Sequence, residues 1–258
     1  MVAASSHMAD PLNLASAHAV DELMAGWRWL ARAGGWHVSE VVGRAHRFEM
    51  FWTAGRPGPV FGYLSAGIHG DEPAAAWGLL RWAQRNAGRA ILGNLLIAPC
   101  LNPEGLRTNL RCAPSGLDLN RCFDRTGMPW VRQWRRLLAL AKPSRAVLLH
   151  EDYDAGGCYL YELVGKGASS VGRQLLTKAA GRLGVDARRR IDGQRATQGL
   201  MVRGPGLRLP HGQPEALALA EIGCSPNFTF ETPSEAAFAD RVRAHDRFAD
   251  AALRISLG

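Results

Sequence analysis

A chain of 258 residues, 47% of them hydrophobic, can bury the core of one large α/β domain. Its net charge of +8 invites a nucleic-acid reading, but apart from Lys142, Lys166 and Lys178 every basic residue is an arginine, and the arginines are scattered along the chain. A phosphate-tracking patch is therefore not expected, and a positive field favours acidic substrates instead.

No apolar run approaches the ~18 residues of a membrane span. Residues 1–8 lack the charged and apolar regions of a secretory signal. Cys100, Cys112, Cys122, Cys158 and Cys224 form no C-x-x-C pair and fit free thiols in a reducing compartment. The expectation is a cytoplasmic protein with neither nucleic acid nor membrane as partner.

Residues 1–16 carry no periodic pattern. Over residues 17–33, Val20, Leu23, Met24, Trp27 and Leu30 share one side of an amphipathic helix that Gly34-Gly35 ends. Alternation over 36–42 and 46–53 predicts two strands joined by a turn at Gly43-Arg44, and Gly55-Arg56-Pro57-Gly58-Pro59 is a loop. Residues 60–66 read as a short buried strand, and Pro73 opens a helix that runs through Leu80. A second buried strand is expected over 94–99, a long polar loop over 102–123 and a helix over 129–141. An apolar strand over 146–151 carries His150 and Glu151 at its end. A shorter strand at 159–164, a helix at 169–183 and a Gly-, Arg- and Pro-rich loop at 188–214 follow. Strands at 216–222 and 227–231 and an amphipathic helix at 234–255 close the chain.

Nothing resembling a repeat or linker divides this pattern, so residues 17–258 read as a single domain after an irregular segment. Strands that alternate with helices and run continuously apolar predict an α/β fold. Its central sheet is mixed and largely parallel, with helices on both faces.

The chemistry-bearing residues gather at strand ends. His69 and Glu72 stand three apart in Ala66-Gly67-Ile68-His69-Gly70-Asp71-Glu72, where a strand turns into a helix, so both can reach one ion. His150 and Glu231 end later strands, and ligands of open α/β sheets sit outside such ends. Two histidines and a glutamate are the three-ligand set of a catalytic zinc, with the fourth position left for water.

Four blocks in this order carry a resemblance: Gly67-Ile68-His69-Gly70-Asp71-Glu72; Asn102-Pro103-Glu104-Gly105 through Arg111 to Gly116-Leu117-Asp118-Leu119-Asn120-Arg121; Leu148-Leu149-His150; and Phe228-Thr229-Phe230-Glu231. In them the sequence resembles the zinc carboxypeptidase family, in its compact bacterial branch that includes murein peptide amidases. The resemblance implies one Zn2+ per chain held by His69, Glu72 and His150, with Glu231 as the general base that activates water and then protonates the leaving amine. It implies Arg111 as the group that polarises the scissile carbonyl, Asn120 and Arg121 as the grip on a substrate carboxylate, and Asp118 as the partner of the far nitrogen of His69. Arg107 competes with Arg111 for its role.

Chemistry asks for the same groups. A carboxylate must take a proton and return it to nitrogen, a cation must offset charge that appears in the transition state, and a guanidinium with an amide matches a planar carboxylate.

Two features stand apart. Digestive-type members place a mobile tyrosine before the last glutamate, and this chain has none after Tyr161. The loop Glu151-Asp152-Tyr153-Asp154 is acidic, open to a cationic substrate group, a second metal or plain solvation. The activity expected is hydrolysis of an amide bond next to a free carboxylate, on a peptide or muropeptide. The alternatives are an amidase cutting before diaminopimelate, an aspartoacylase or succinylglutamate desuccinylase-type deacylase, and a binding module that has kept the fold.

Overall fold

The structure, a computed structural model, describes residues 10–44, 46–165, 169–204, 206 and 211–256. After a 3-10 turn at Leu14–Ser16 comes helix α1 (Val20–Gly34), which Gly35 ends in the left-handed conformation. Strands β1 (His37–Val42) and β2 (Arg47–Trp52) pair antiparallel. Then follow β3 (Gly62–Ser65), α2 (Pro73–Arg85), β4 (Leu95–Ala98), α3 (Pro103–Thr108), α4 (Pro129–Ala141), β5 (Ala146–Asp152), β6 (Tyr159–Leu163) and α5 (Gly172–Ala180). The chain closes with the short strands β7 (Arg190–Ile191) and β8 (Gln194–Arg195), then β9 (Leu200–Arg203), α6 (Glu215–Glu221), β10 (Asn227–Pro233) and α7 (Phe238–Arg254).

Eight strands make one sheet in the order β1-β2-β4-β3-β5-β10-β6-β9, and β7 pairs with β8 apart from it. The four central strands are parallel, as their unbroken apolar sequences require once both faces are covered. One face packs against α1, α2, α5 and α7 around Trp27, Trp77, Phe230 and Phe248. The other packs against α4 and α6 around Tyr63, Phe123, Trp134 and Leu219. The predicted α/β class, with helices on both faces, is the observed one. No described helix is long and apolar enough to cross a membrane, and all five cysteines are free thiols.

Three expectations need correction. Residues 216–222 are helical, not extended: α6 starts after Pro214, and its Ala-Leu alternation imitates a strand while both residue types favour helix. The polar stretch 102–123 is no mere loop, since it holds α3 and a 3-10 turn at Leu119–Arg121. The loop expected over 188–214 likewise contains β7, β8 and the edge strand β9, which pairs with β6; its residues 205 and 207–210 lie outside the described set, as do residues 1–9 of the irregular segment.

Beneath the site, α7 buries His245 completely, with Nε2 3.0 Å from Thr232 Oγ1 on β10. Burial, and then the Arg241 charge, lower its pKa from 6.5 to about 3. The unfolded chain therefore binds a proton that the folded chain refuses. Stability from the neutral ring is full above pH 6.5 and is lost as pH falls towards 3, at about 1.4 kcal/mol per pH unit. In denaturant melts over this range, the stability advantage of the parent over His245→Gln should shrink as pH falls. A constant difference would refute the assignment.

Candidate active site

Strand β3 ends at Ser65 on a backbone that must reverse within a few residues. Gly67 adopts φ +61°, open to glycine at little cost. Gly70 has no room for a side chain, because a Cβ there would lie 1.9 Å from the carbonyl carbon of Gly105 in α3. The turn thus lies flush on α3, and Gly70 N donates to Leu110 O at 3.1 Å. Glu72 follows as the N-cap residue of α2, but its side chain caps nothing. It turns instead to two imidazoles.

His69 Nδ1 lies 2.5 Å from Glu72 Oε1, and His150 Nδ1 lies 2.9 Å from Glu72 Oε2. All three side chains are buried, and one ligand atom from each lies within 4.8 Å of the others; among the described residues no second group of this kind occurs. The rings gather around a carboxylate where a cation would satisfy all three. Burial disfavours their charged forms, yet the Glu72 carboxylate, aided at His69 by Asp118, raises His69 to about 9 and also raises His150. Glu72 itself is held well below the usual carboxylate range, because both rings outweigh its burial. Two imidazole nitrogens and a carboxylate oxygen are a donor set that fits zinc.

Asp118 Oδ1 stands 3.4 Å from the far nitrogen, His69 Nε2, which makes no closer bond. Despite burial, Asp118 drops to about 2, drawn down by His69 and by Arg111. A carboxylate at that nitrogen keeps the proton off Nδ1, the atom that faces Glu72. The two groups face each other as an ion-pair contact, without hydrogen-bond geometry.

Arg111 reaches the centre: Nη1 is 3.5 Å from Glu72 Oε1 and Nη2 is 3.6 Å from Asp118 Oδ2. Its rival Arg107 is spent on an exposed bidentate pair with Asp21, at 2.8 and 2.9 Å. The reason is α3. Asn102 caps that helix by accepting from Gly105 N at 3.0 Å, and Asn109 ends it at φ +53°. The chain then doubles back and lays Arg111 beside Glu72. Asn102 before Pro103-Glu104 is a helix-start signal that could have identified α3 from sequence.

The 3-10 turn that carries Asn120 and Arg121 begins at Asp118, whose Oδ1 accepts from Asn120 N at 2.9 Å. Arg121 Nη1 donates to Asn120 O at 2.8 Å. Both side chains are half-buried.

Glu231 pairs in parallel register with His150, one strand spacing of about 4.8 Å away. Phe228 and Phe230 of β10 pack on Phe248, so the alternate residues Thr229 and Glu231 point to the opposite face. No described residue bonds the half-buried Glu231 carboxylate. Burial pushes its pKa up to about 8 against the lowering effect of His150. A carboxyl that titrates near neutrality, beside a cation site, can exchange protons with water.

Tyr159 lies directly opposite Glu231 on β6, and Tyr161 opposite Thr229, so both share the face of Glu231. Tyr161 Oη donates to Asp192 at 2.6 Å and Tyr159 Oη to Asp152 at 3.0 Å. Two of the acidic loop's three carboxylates are paired within the protein: Glu151 accepts from Ala74 N at 2.6 Å and pairs with Arg241, Asp152 meets Arg188 at 3.2 Å, and Asp154 is exposed. Sequence reasoning also missed Glu215, whose backbone N–H holds Asn120 Oδ1 at 2.9 Å.

The succinylglutamate desuccinylase/aspartoacylase catalytic-domain family matches residues 62–135. No curated protein matches the whole sequence. In structure, the chain superposes on a protein classed as a metallopeptidase from Shewanella baltica with TM-score 0.79 and 20% identity, over 92% of each chain. A metallo-carboxypeptidase from Burkholderia cenocepacia gives TM-score 0.59 and 16% identity, over 90% of this chain and 68% of the other. The murein-tripeptide amidase of Escherichia coli gives 0.59 and 18%, over 86% and 93%. The likeness that the four blocks carry in sequence thus extends to the backbone, and the chain has the zinc carboxypeptidase-like α/β fold.

Proposed function

We propose that this chain is a zinc-dependent hydrolase that cleaves an amide bond next to a free carboxylate of a peptide. The observation that carries this reading is the meeting of His69, Glu72 and His150 around one point, with Glu231 in register with His150. His69, Glu72 and His150 would hold a zinc ion, whose chemistry would be to acidify water towards pKa ~7 and to polarise the carbonyl. Glu231 takes the proton of the attacking water and delivers it to the leaving nitrogen. Arg111 offsets the negative charge that develops on the carbonyl oxygen. Asn120 and Arg121 hold the substrate carboxylate, and Asp118 keeps the His69 tautomer that presents Nδ1.

Cleavage before diaminopimelate in a murein peptide is the second version, favoured by the near-full coverage of the Escherichia coli amidase. Deacylation of an N-acyl amino acid is the third, favoured by the family match over residues 62–135. All three keep the same metal centre and differ in what lies on either side of the amide.

Amine release from a mixed pool of peptides, muropeptides and N-acyl amino acids, with and without chelator, separates them. Elemental analysis should find about one zinc per chain and little in His69→Ala. Undiminished hydrolysis after the metal is stripped, or equal metal in both proteins, would end the metal-hydrolase reading.

A further inference from the structure

Helix α6 begins with a defect that another part of the chain repairs. Its N-cap is Pro214, which offers no side chain to the first-turn N–H groups. The N–H of Glu215 donates instead to Asn120 Oδ1 at 2.9 Å, across 95 positions of sequence. An N–H can bond only the oxygen of that amide, so the orientation of Asn120 is settled: Oδ1 faces α6 and Nδ2 faces away. No described residue accepts from Nδ2. The unbonded Nδ2 is therefore a donor for a ligand, which suits an anionic or carbonyl group.

The other end of Glu215 is fixed just as firmly. Its side chain is 1% exposed, with Tyr63 Oη donating to Oε1 at 2.6 Å and Ser65 Oγ to Oε2 at 2.7 Å. Tyr63 Oη also accepts from Trp134 Nε1 at 3.2 Å. Tyr63 and Ser65 belong to β3, the strand that leads into the His69 turn. No described cation pairs with this carboxylate, and a buried carboxylate without one is a costly way to fill space. An apolar residue could fill the space but could not grip β3.

We infer that Glu215 is the positioning residue for Asn120, a strut from β3 to the α6 N-terminus that sets the distance between the metal ligands and the carboxylate-binding amide. The inference rests on the reading of Asn120 as a carboxylate donor, and it adds what aims that donor.

The test is a double-mutant cycle on the full chain with Glu215→Gln and Asn120→Ala, singly and together. The substrates are a murein tripeptide ending in free diaminopimelate and the same tripeptide with that carboxylate amidated. Glu215→Gln should raise KM for the free acid about tenfold with kcat little changed, leave the amide unaffected, and retain full metal content. In the Asn120→Ala background Glu215→Gln should cost nothing more, because the strut then has nothing to aim. Losses that multiply, or that fall equally on acid and amide, would leave Glu215 a merely structural residue.

A parent enzyme that treats acid and amide alike would instead overturn the role of Asn120, and that of Glu215 with it. If the parent cleaves neither, calorimetric binding of the two tripeptides provides the same cycle, and absence of acid-selective binding counts against the strut. Should Glu215→Gln fail to fold, Ser65→Ala keeps the carboxylate and removes one donor; it should show the same free-acid KM rise, smaller in size.

Discussion

Glu231→Gln should keep the fold and the metal while hydrolysis falls by about 10²–10⁴. The substitution preserves shape on β10 and removes only the ability to take a proton. Because no described residue hydrogen-bonds the Glu231 carboxylate, the substitution breaks no side-chain bond, and the ladder pairing through its backbone stays. A divalent cation held by His69, Glu72 and His150 would draw the carboxyl down from about 8 towards the ionised form that a base requires. Turnover, elemental analysis and circular dichroism on the same preparation check the prediction. Hydrolysis at the parent rate by the variant would remove Glu231 from the mechanism.

The second large effect is expected at Arg121. This guanidinium lies in the turn braced by Asp118, close to a site whose metal ion would repel it, so its natural partner is an anion brought by the substrate. Arg121→Ala should leave the metal bound and lower kcat/KM on free-acid substrates by about 30- to 1000-fold, equivalent to about 2–4 kcal/mol. On C-terminally amidated analogues the same variant should lose far less. Equal cleavage of acid and amide by the parent enzyme would rule out a carboxylate clamp, and with it an exopeptidase.

Much of this site was legible because its residues sit at strand ends, and strand ends show in sequence as apolar runs that stop at a polar residue. Leu148-Leu149-His150 and Phe228-Thr229-Phe230-Glu231 are such stops, and the parallel pairing of β5 with β10 brings them side by side. Arg111 was harder to separate from Arg107, since the choice depends on Asn109 reversing the chain after α3 and on Asp21 capturing Arg107. Glu215 was not legible at all. Its role comes from three bonds to Tyr63, Ser65 and Asn120, none nearer than 95 positions away, and no local pattern reports such a meeting. The strand expected at 216–222 hid it further, because in that reading Glu215 stood before a strand and not at the head of a helix.

The pairing of Glu231 with His150 has a consequence for how this protein can change. Glu231 and His150 stand side by side on adjacent strands of one hydrogen-bonded ladder, so their separation follows from the spacing of strands and from no loop. A slip of one residue in β10 would turn Glu231 towards α7 and leave Thr232 in its place. Insertions in the segment 188–214 would remodel the surroundings of the site while the Glu231–His150 separation stays as the ladder sets it. Substrate choice and proton transfer are thus free to diverge separately, one written in loops and the other in register.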